Sequence, residues 1–240
     1  MNNQKTKFSI VVFPGTNCEH DCYYALTHVL DAECSYVWHQ DTRLGDCDAV
    51  ILPGGFSYGD YLRSGAVARF SPIMSAVRDF AQKGGMVIGI CNGFQILLEE
   101  GMLPGAMLEN NSLKFICRQV WLKIENNQTP FSCGYGLGEV IRMPIRHNEG
   151  NYYINSSGYR DLLEHNQVIM RYSDKNGITS AKFNPNGSVG NIAGICNRDF
   201  NVFGLMPHPE AACEKILGSD DGRGIFSSMI DYIISSGAKV

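Results

Sequence analysis

No apolar run in this sequence approaches the roughly 20 residues needed to cross a bilayer, so a membrane-spanning helix is not expected. Neither sign of charge dominates. Twenty Lys and Arg stand against 24 Asp and Glu, a net charge of −4, and nothing draws the chain as a whole toward nucleic acid. The opening M-N-N-Q-K-T-K lacks the apolar core of a secretory signal. Neither G-x-G-x-x-G nor the Lys-Ser/Thr of a P-loop occurs, so no nucleotide-phosphate cradle is expected. There is no C-x-x-C. Cys18 and Cys22 are spaced C-x3-C, and no Cys/His pair completes a zinc set, so no metal site is expected. The nine cysteines are odd in number, scattered and often set in apolar runs, which fits a reducing cytoplasm better than a disulfide framework. Repeats, low-complexity tracts and linkers are absent too. The 240 residues suit one domain spanning 1–240.

What is present alternates between buried strand and helix. Phe8 to Phe13 reads as a strand ended by Pro14-Gly15, and Thr16 or Asn17 is placed to cap a helix carrying Tyr23, Leu26, Val29 and Leu30. Tyr36 to Trp38 and Ala49 to Leu52 read as strands, and 66–82 as a helix. This alternation predicts an α/β fold with an open, mostly parallel, doubly wound sheet. Beyond Pro104 the texture changes: Leu113 to Ile124 alternates, and Val140 to Met143, Tyr152 to Ile154 and Val168 to Tyr172 are short strands. They predict a small antiparallel region on the same domain. Ser219 to Asp221 can cap a last helix, with Ile225, Phe226, Met229, Ile230 and Ile233 inward and Gly237 closing it.

The chain is organised around Met86 to Gln95, M-V-I-G-I-C-N-G-F-Q. Five apolar residues without alternation form a strand buried on both faces. A helical pattern begins at once after it. Cys91 therefore lies where a strand turns sharply into a helix, between Gly89 and Gly93, which is the logic of a nucleophile elbow with sulfur in place of oxygen. A helix N-terminus there offers free N–H groups that lower a thiol pKa and can hold an oxyanion. Taken by itself the spacing also suits a small buried hydrophobe.

Three further stretches bear on that choice. P-G-G-F-S-Y-G-D-Y-L-R-S-G lies directly after the strand ending at Leu52, where open α/β sheets bind ligands. P-I-R-H-N-E-G gathers Arg146, His147 and Glu149 in an exposed loop between strands, as a solvated turn or a contact. Near the end, Val202 to Met206 reads as a strand, with P-H-P-E directly after it. Extended backbone at His208, forced by Pro209, puts Glu210 on its side, where the carboxylate can orient one ring nitrogen and leave the other free.

Together, P-G-x-N-C, the long P-G-G-F-S-Y-G-D-Y-L-R-S-G-A loop, G-I-C-N-G-F-Q-I-L, L-P-G-A-M and G-L-M-P-H-P-E resemble the class I (triad) glutamine amidotransferases. Within them they are similar to the glutaminase subunits of phosphoribosylformylglycinamidine synthase, over nearly the whole chain. The resemblance implies a catalytic triad of Cys91, His208 and Glu210. It implies oxyanion donors at Gly55 and Asn92, with Gly54 beside them, and a glutamine contact at Gln95. It implies L-glutamine as substrate and ammonia passed to a large synthetase subunit, in a complex with room for a small third subunit. ATP and Mg would be used by that partner and no cofactor by this chain. Phe56, Tyr58, Arg146, His147 and Glu149 are candidate partner contacts. Two positions depart from the family pattern: Asn148 where it has glycine, and Ala211 where it often has arginine. The alternatives are another cysteine hydrolase of the same fold and a non-catalytic partner that retains the fold.

Overall fold

The computed structural model describes residues 5–236; the opening M-N-N-Q and the helix-closing Gly237 lie outside them. Strands β1 (Lys7–Val12), β3 (Ala49–Leu52), β4 (Met86–Ile90) and β11 (Val202–Leu205) are short apolar runs, buried almost throughout. That is the signature of parallel strands covered on both faces. With β2 (Glu33–Trp38) they form the parallel half of one nine-stranded sheet, ordered β2-β1-β3-β4-β11.

The sheet continues as an antiparallel half through β10 (Ile192–Cys196), β9 (Val168–Ser173), β6 (Ile116–Ile124) and, at the edge, β7 (Val140–His147). The predicted antiparallel region is thus mostly an extension of the main sheet. A separate pair, β5 (Ala106–Leu108) and β8 (Asn151–Tyr153), makes the only small sheet among the described residues. The expected Tyr152–Ile154 strand falls there.

Helix α1 (Glu19–Tyr24) runs on as a wider turn over Ala25–Val29. The expected cap differs: Cys18 occupies that position without a side-chain capping bond, and Thr16 Oγ1 accepts from Phe13 N instead, closing the turn before the helix. Helix α2 (Ile73–Gln82) is shorter than the predicted 66–82. Pro72 pushes Ser71 into extended geometry (φ −64°, ψ 139°), which splits a short 3-10 turn at Ala68–Phe70 from the helix proper. Helix α3 (Asn92–Glu99) is buried from Asn92 to Leu98, so it shows no polar face. Helix α4 (Ser156–Glu164), capped by Asn155 accepting from Gly158 N, and strand β10 are additions to the predicted elements. Helix α5 (Arg223–Ser236) buries Ile225, Phe226, Met229 and Ile233 as expected. No described helix is long and apolar enough to cross a membrane.

Because β1, β3, β4 and β11 are parallel, their carboxyl ends share one edge of the sheet, and the loops that leave them converge there.

Candidate active site

Cys91 caps helix α3 with φ 51° and ψ −104°, a backbone conformation that costs a non-glycine residue on the order of 1–3 kcal/mol. Two bonds hold it there: Cys91 N donates to Leu205 O at 2.8 Å, and Gln95 N donates to Cys91 O at 3.1 Å. The flanking glycines are required by close approach. A Cβ on Gly93 would sit 1.9 Å from the Leu52 carbonyl oxygen, and one on Gly89 2.6 Å from that of Gly93. The elbow read in the sequence is real, and the Cys91 thiol points toward the Arg146 carbonyl at 3.7 Å.

From the neighbouring strand β11 the chain leads to His208, whose N–H donates to the Pro144 carbonyl on edge strand β7 at 2.9 Å. Its Nδ1 pairs with Glu210 Oε1 at 2.5 Å, and both side chains are almost wholly buried, 2% and 0% exposed. The pairing is as expected, but the backbone route to it is not. Pro209 is helical (φ −64°, ψ −34°) and Glu210 opens a 3-10 turn over Glu210–Ala212, so the carboxylate reaches back around a turn and not along extended chain. Burial alone pushes the His208 pKa down; the Glu210 charge first, then Cys91 and Cys18, outweigh it and hold the imidazole well above its ordinary value. A buried, carboxylate-held imidazole beside a thiol is the arrangement that activates a cysteine nucleophile.

The glycine loop after β3 closes the other side. Gly54 O accepts from both Asn17 N and Cys18 N at 3.2 Å, and Phe56 N donates to Gly15 O at 3.0 Å. Gly55, at φ +151°, is wedged against this segment: a Cβ there would meet Gly15 O at 2.7 Å. Asn92 ties loop to elbow, since its Oδ1 accepts from Ser57 N at 3.0 Å and its Nδ2 donates to Gln95 Oε1 at 2.8 Å and Asp60 Oδ1 at 3.2 Å. Gln95 Nε2 in turn donates to the Glu149 carbonyl at 2.6 Å. Both ends of the Gln95 amide are therefore held by protein, although the side chain borders the cavity.

That cavity holds about 470 Å³, and Cys91, His208, Gly55 and Gln95 line it. Of the candidate partner contacts, Phe56, Arg146, His147 and Glu149 also reach it, whereas the Tyr58 hydroxyl is turned inward onto His39 Nδ1 (2.7 Å) and Ser71 Oγ (2.9 Å). The expected exposed loop at Arg146 is corrected. Strand β7 runs on to His147, which is only 3% exposed, and Arg146 and Glu149 are half-buried; Asn148 alone is open. His147 is therefore a cavity wall and not a docking contact. Asn148 has no positive φ, so glycine is not demanded there. Cys18, Asp60 and Phe115 border the cavity as well, and sequence reasoning does not reach them. The motif P-G-x-N-C contains the signal for Cys18, but chain spacing cannot bring it to His208. Burial, with the nearby Glu149 charge, pushes Asp60 up to about 6.

His147 makes one testable claim about pH. Burial first, then the charge of His208, lowers its pKa from 6.5 to about 4. The folded state thus binds this proton more weakly than the unfolded chain. The associated stability is present above pH 6.5 and is lost as pH falls toward 4, by about 3 kcal/mol for a shift of this size. Urea unfolding across that window should show the fall, and His147→Gln should flatten it. An identical slope in the variant would assign the acid sensitivity to other groups.

Residues 5–224 match the family described as CobB/CobQ-like glutamine amidotransferase domain. The chain belongs to this family. Among its relatives, a phosphoribosylformylglycinamidine synthase subunit PurQ from Moorella thermoacetica is 55% identical over 226 residues, 94% of this chain and 96% of that one. The subunit of the same name from Salinibacter ruber is 52% identical, covering 95% of this chain and 97% of its own. The solved PurLQS structure from Thermotoga maritima superposes with a TM-score of 0.84 at 45% identity, covering 95% of this chain and 99% of the matched one. The glutaminase domain of Trypanosoma brucei CTPS, at 13% identity and a TM-score of 0.59 over 98% of this chain and 95% of that one, shares the fold.

Proposed function

We propose that this chain is the glutaminase subunit of a phosphoribosylformylglycinamidine synthase, acting as one catalytic domain in the cytoplasm. It hydrolyses L-glutamine and supplies the ammonia that a large synthetase subunit uses, with ATP and Mg, to turn formylglycinamide ribonucleotide into formylglycinamidine ribonucleotide. A small third subunit completes the complex. The observation that carries the chemistry is the elbow thiol beside a buried, carboxylate-held imidazole. The observation that carries the pathway is about 50% identity to PurQ subunits over nearly the full length.

In this reading the Cys91 thiolate attacks the side-chain amide carbon of glutamine. The oxyanion is held by the N–H of Asn92, one of the groups left free at the start of α3, and by the N–H of Gly55. The His208 imidazolium gives its proton to the departing nitrogen, ammonia leaves, and a glutamyl thioester remains. Neutral His208 then takes a proton from water, whose oxygen attacks the thioester and releases glutamate. Glu210 keeps Nδ1 occupied throughout, so that Nε2 faces the chemistry. Gln95 and Asn92 hold the elbow and the glycine loop in one position. This half-reaction calls on no cofactor in the chain. Phe56, 51% exposed, and Phe115, 64% exposed, flank the cavity mouth and offer the synthetase an apolar rim.

Such a thiol, fully armed in the free subunit, would waste glutamine. The test compares glutamine turnover by the chain alone with turnover in the presence of synthetase partner, ATP and acceptor nucleotide. A Gly55 donor that becomes productive only in the complex changes the rate by roughly 10²–10³-fold. Moving it means rearranging the Asn17, Cys18 and Phe56 backbone bonds that pin the loop. Equal turnover in both settings rejects the switch. No turnover even in the complex rejects the glutaminase assignment.

A further inference from the structure

The proposed mechanism leaves one side chain at the centre of the site without a task. Cys18 comes from the loop after β1, 190 residues from His208, yet its Sγ lies 3.9 Å from His208 Nδ1. Its thiol donates to Asn17 Oδ1 at 3.2 Å and it is nearly buried. One ligand-type atom each from Cys18, His208 and Glu210 falls within 4.8 Å of the others. The sulfur, the nitrogen and the carboxylate are three kinds of donor that together suit zinc. A second observation is independent of that spacing. Glu210 Oε2 is buried and has no hydrogen-bond partner among the described residues, so one oxygen of the cluster's own carboxylate is uncompensated.

We infer that Cys18, His208 and Glu210 form an inhibitory binding site for a thiophilic divalent cation of the zinc class. A tetrahedral zinc centre separates its nitrogen and sulfur ligands by roughly 3.5 Å, and its nitrogen and oxygen ligands by roughly 3.3 Å. The observed sulfur-to-nitrogen distance is 3.9 Å and the carboxylate lies at 2.5 Å from the ring nitrogen. The thiol closes in slightly and the carboxylate retreats by less than about 1 Å. Entry is through the cavity, which Cys18 and His208 both line and which leaves the fourth position to water. Binding releases the Cys18 thiol proton and the Nδ1 proton, so the affinity rises with pH.

The consequence is a tautomer inversion. In the working site Nδ1 carries hydrogen toward Glu210 and Nε2 is the base. With the cation on Nδ1 the neutral ring carries its hydrogen on Nε2, which can donate but cannot accept a proton. Glutamine hydrolysis stops although the nucleophile is untouched.

The binding half of this inference stands apart from the glutaminase reading; only the inhibition rests on it. Zinc(II) is titrated against a chromophoric chelator into the full chain, its Cys18→Ser variant and its Cys91→Ala variant. Wild type and Cys91→Ala should bind one zinc with the same affinity, and Cys18→Ser at least about tenfold more weakly. Cobalt(II) should give a sulfur charge-transfer band with Cys91→Ala that Cys18→Ser lacks. In the assembled complex, Cys18→Ser should need at least about tenfold more free zinc for half-inhibition relative to its own zinc-free rate. Should Cys18→Ser fail to fold by circular dichroism, Glu210→Gln serves the same purpose and should weaken binding comparably. Zinc lost with Cys91→Ala but kept with Cys18→Ser puts the cation on the nucleophile and overturns the inference. Absence of zinc binding by wild type overturns it as well.

Discussion

Replacing Cys91 by alanine should abolish glutamine-dependent synthesis by the assembled complex while synthesis from added ammonium salt continues at the wild-type rate. The side chain is small and lies at the end of a strand, so its truncation leaves the fold and the partner surface in place. What disappears is the only route by which the amide nitrogen of glutamine is released. The loss should be roughly 10⁴-fold or more, the scale seen when a covalent nucleophile is removed from a hydrolase. The measurement is product formation with glutamine and with ammonium as alternative nitrogen sources. Equal loss of both in a correctly assembled complex would show that Cys91 serves assembly or the synthetase step instead.

His208→Ala should be of comparable severity, because one ring both protonates departing ammonia and activates water. Glu210→Gln should cost less by about tenfold or more, since the carboxylate orients and charges the ring without joining a bond-making step. The double variant should be little worse than His208→Ala alone, as residues that act as a unit are non-additive. A pH profile adds a readout that mere structural damage would not give. The Glu210 charge is the foremost influence raising the His208 pKa, so removing it lowers that pKa and shifts the basic limb of the rate profile to lower pH. Full glutaminase activity in His208→Ala would assign the base to another residue.

Much of this is legible in the sequence because the parallel half of the sheet is written as short runs of uniform apolarity. Ala49–Leu52, Met86–Ile90 and Val202–Leu205 are short, uniformly apolar and bounded by turn residues, which reads as strands buried on both faces, and Gly89 and Gly93 fix the sharp turn after Ile90. Cys91 and the His208–Glu210 pair are placed at strand ends for that reason, and the family resemblance assigns them a catalytic role. The antiparallel half is less clear. Pro144 suggests a strand end, but β7 is an edge strand, where a missing donor does no harm, so it continues to His147. That single boundary moves His147 from a supposed surface loop to the cavity wall. The His208–Glu210 pairing holds for a reason the expected backbone does not share, since Pro209 permits a helical turn as readily as an extended one. Cys18 and Asp60 are out of reach of the sequence, because their place in the site depends on how loops from different strands meet.

The most direct measurement of the account is a rapid acid quench of the complex during turnover with glutamine, coupled to peptide mass spectrometry. A thioester mechanism places one glutamyl group on the peptide carrying Cys91. The adduct should disappear in Cys91→Ala and accumulate in Glu210→Gln if deacylation is the more impaired half-reaction. A glutamyl group on another residue, or glutamine consumed at full rate by Cys91→Ala, would contradict the assignment of Cys91 as the nucleophile.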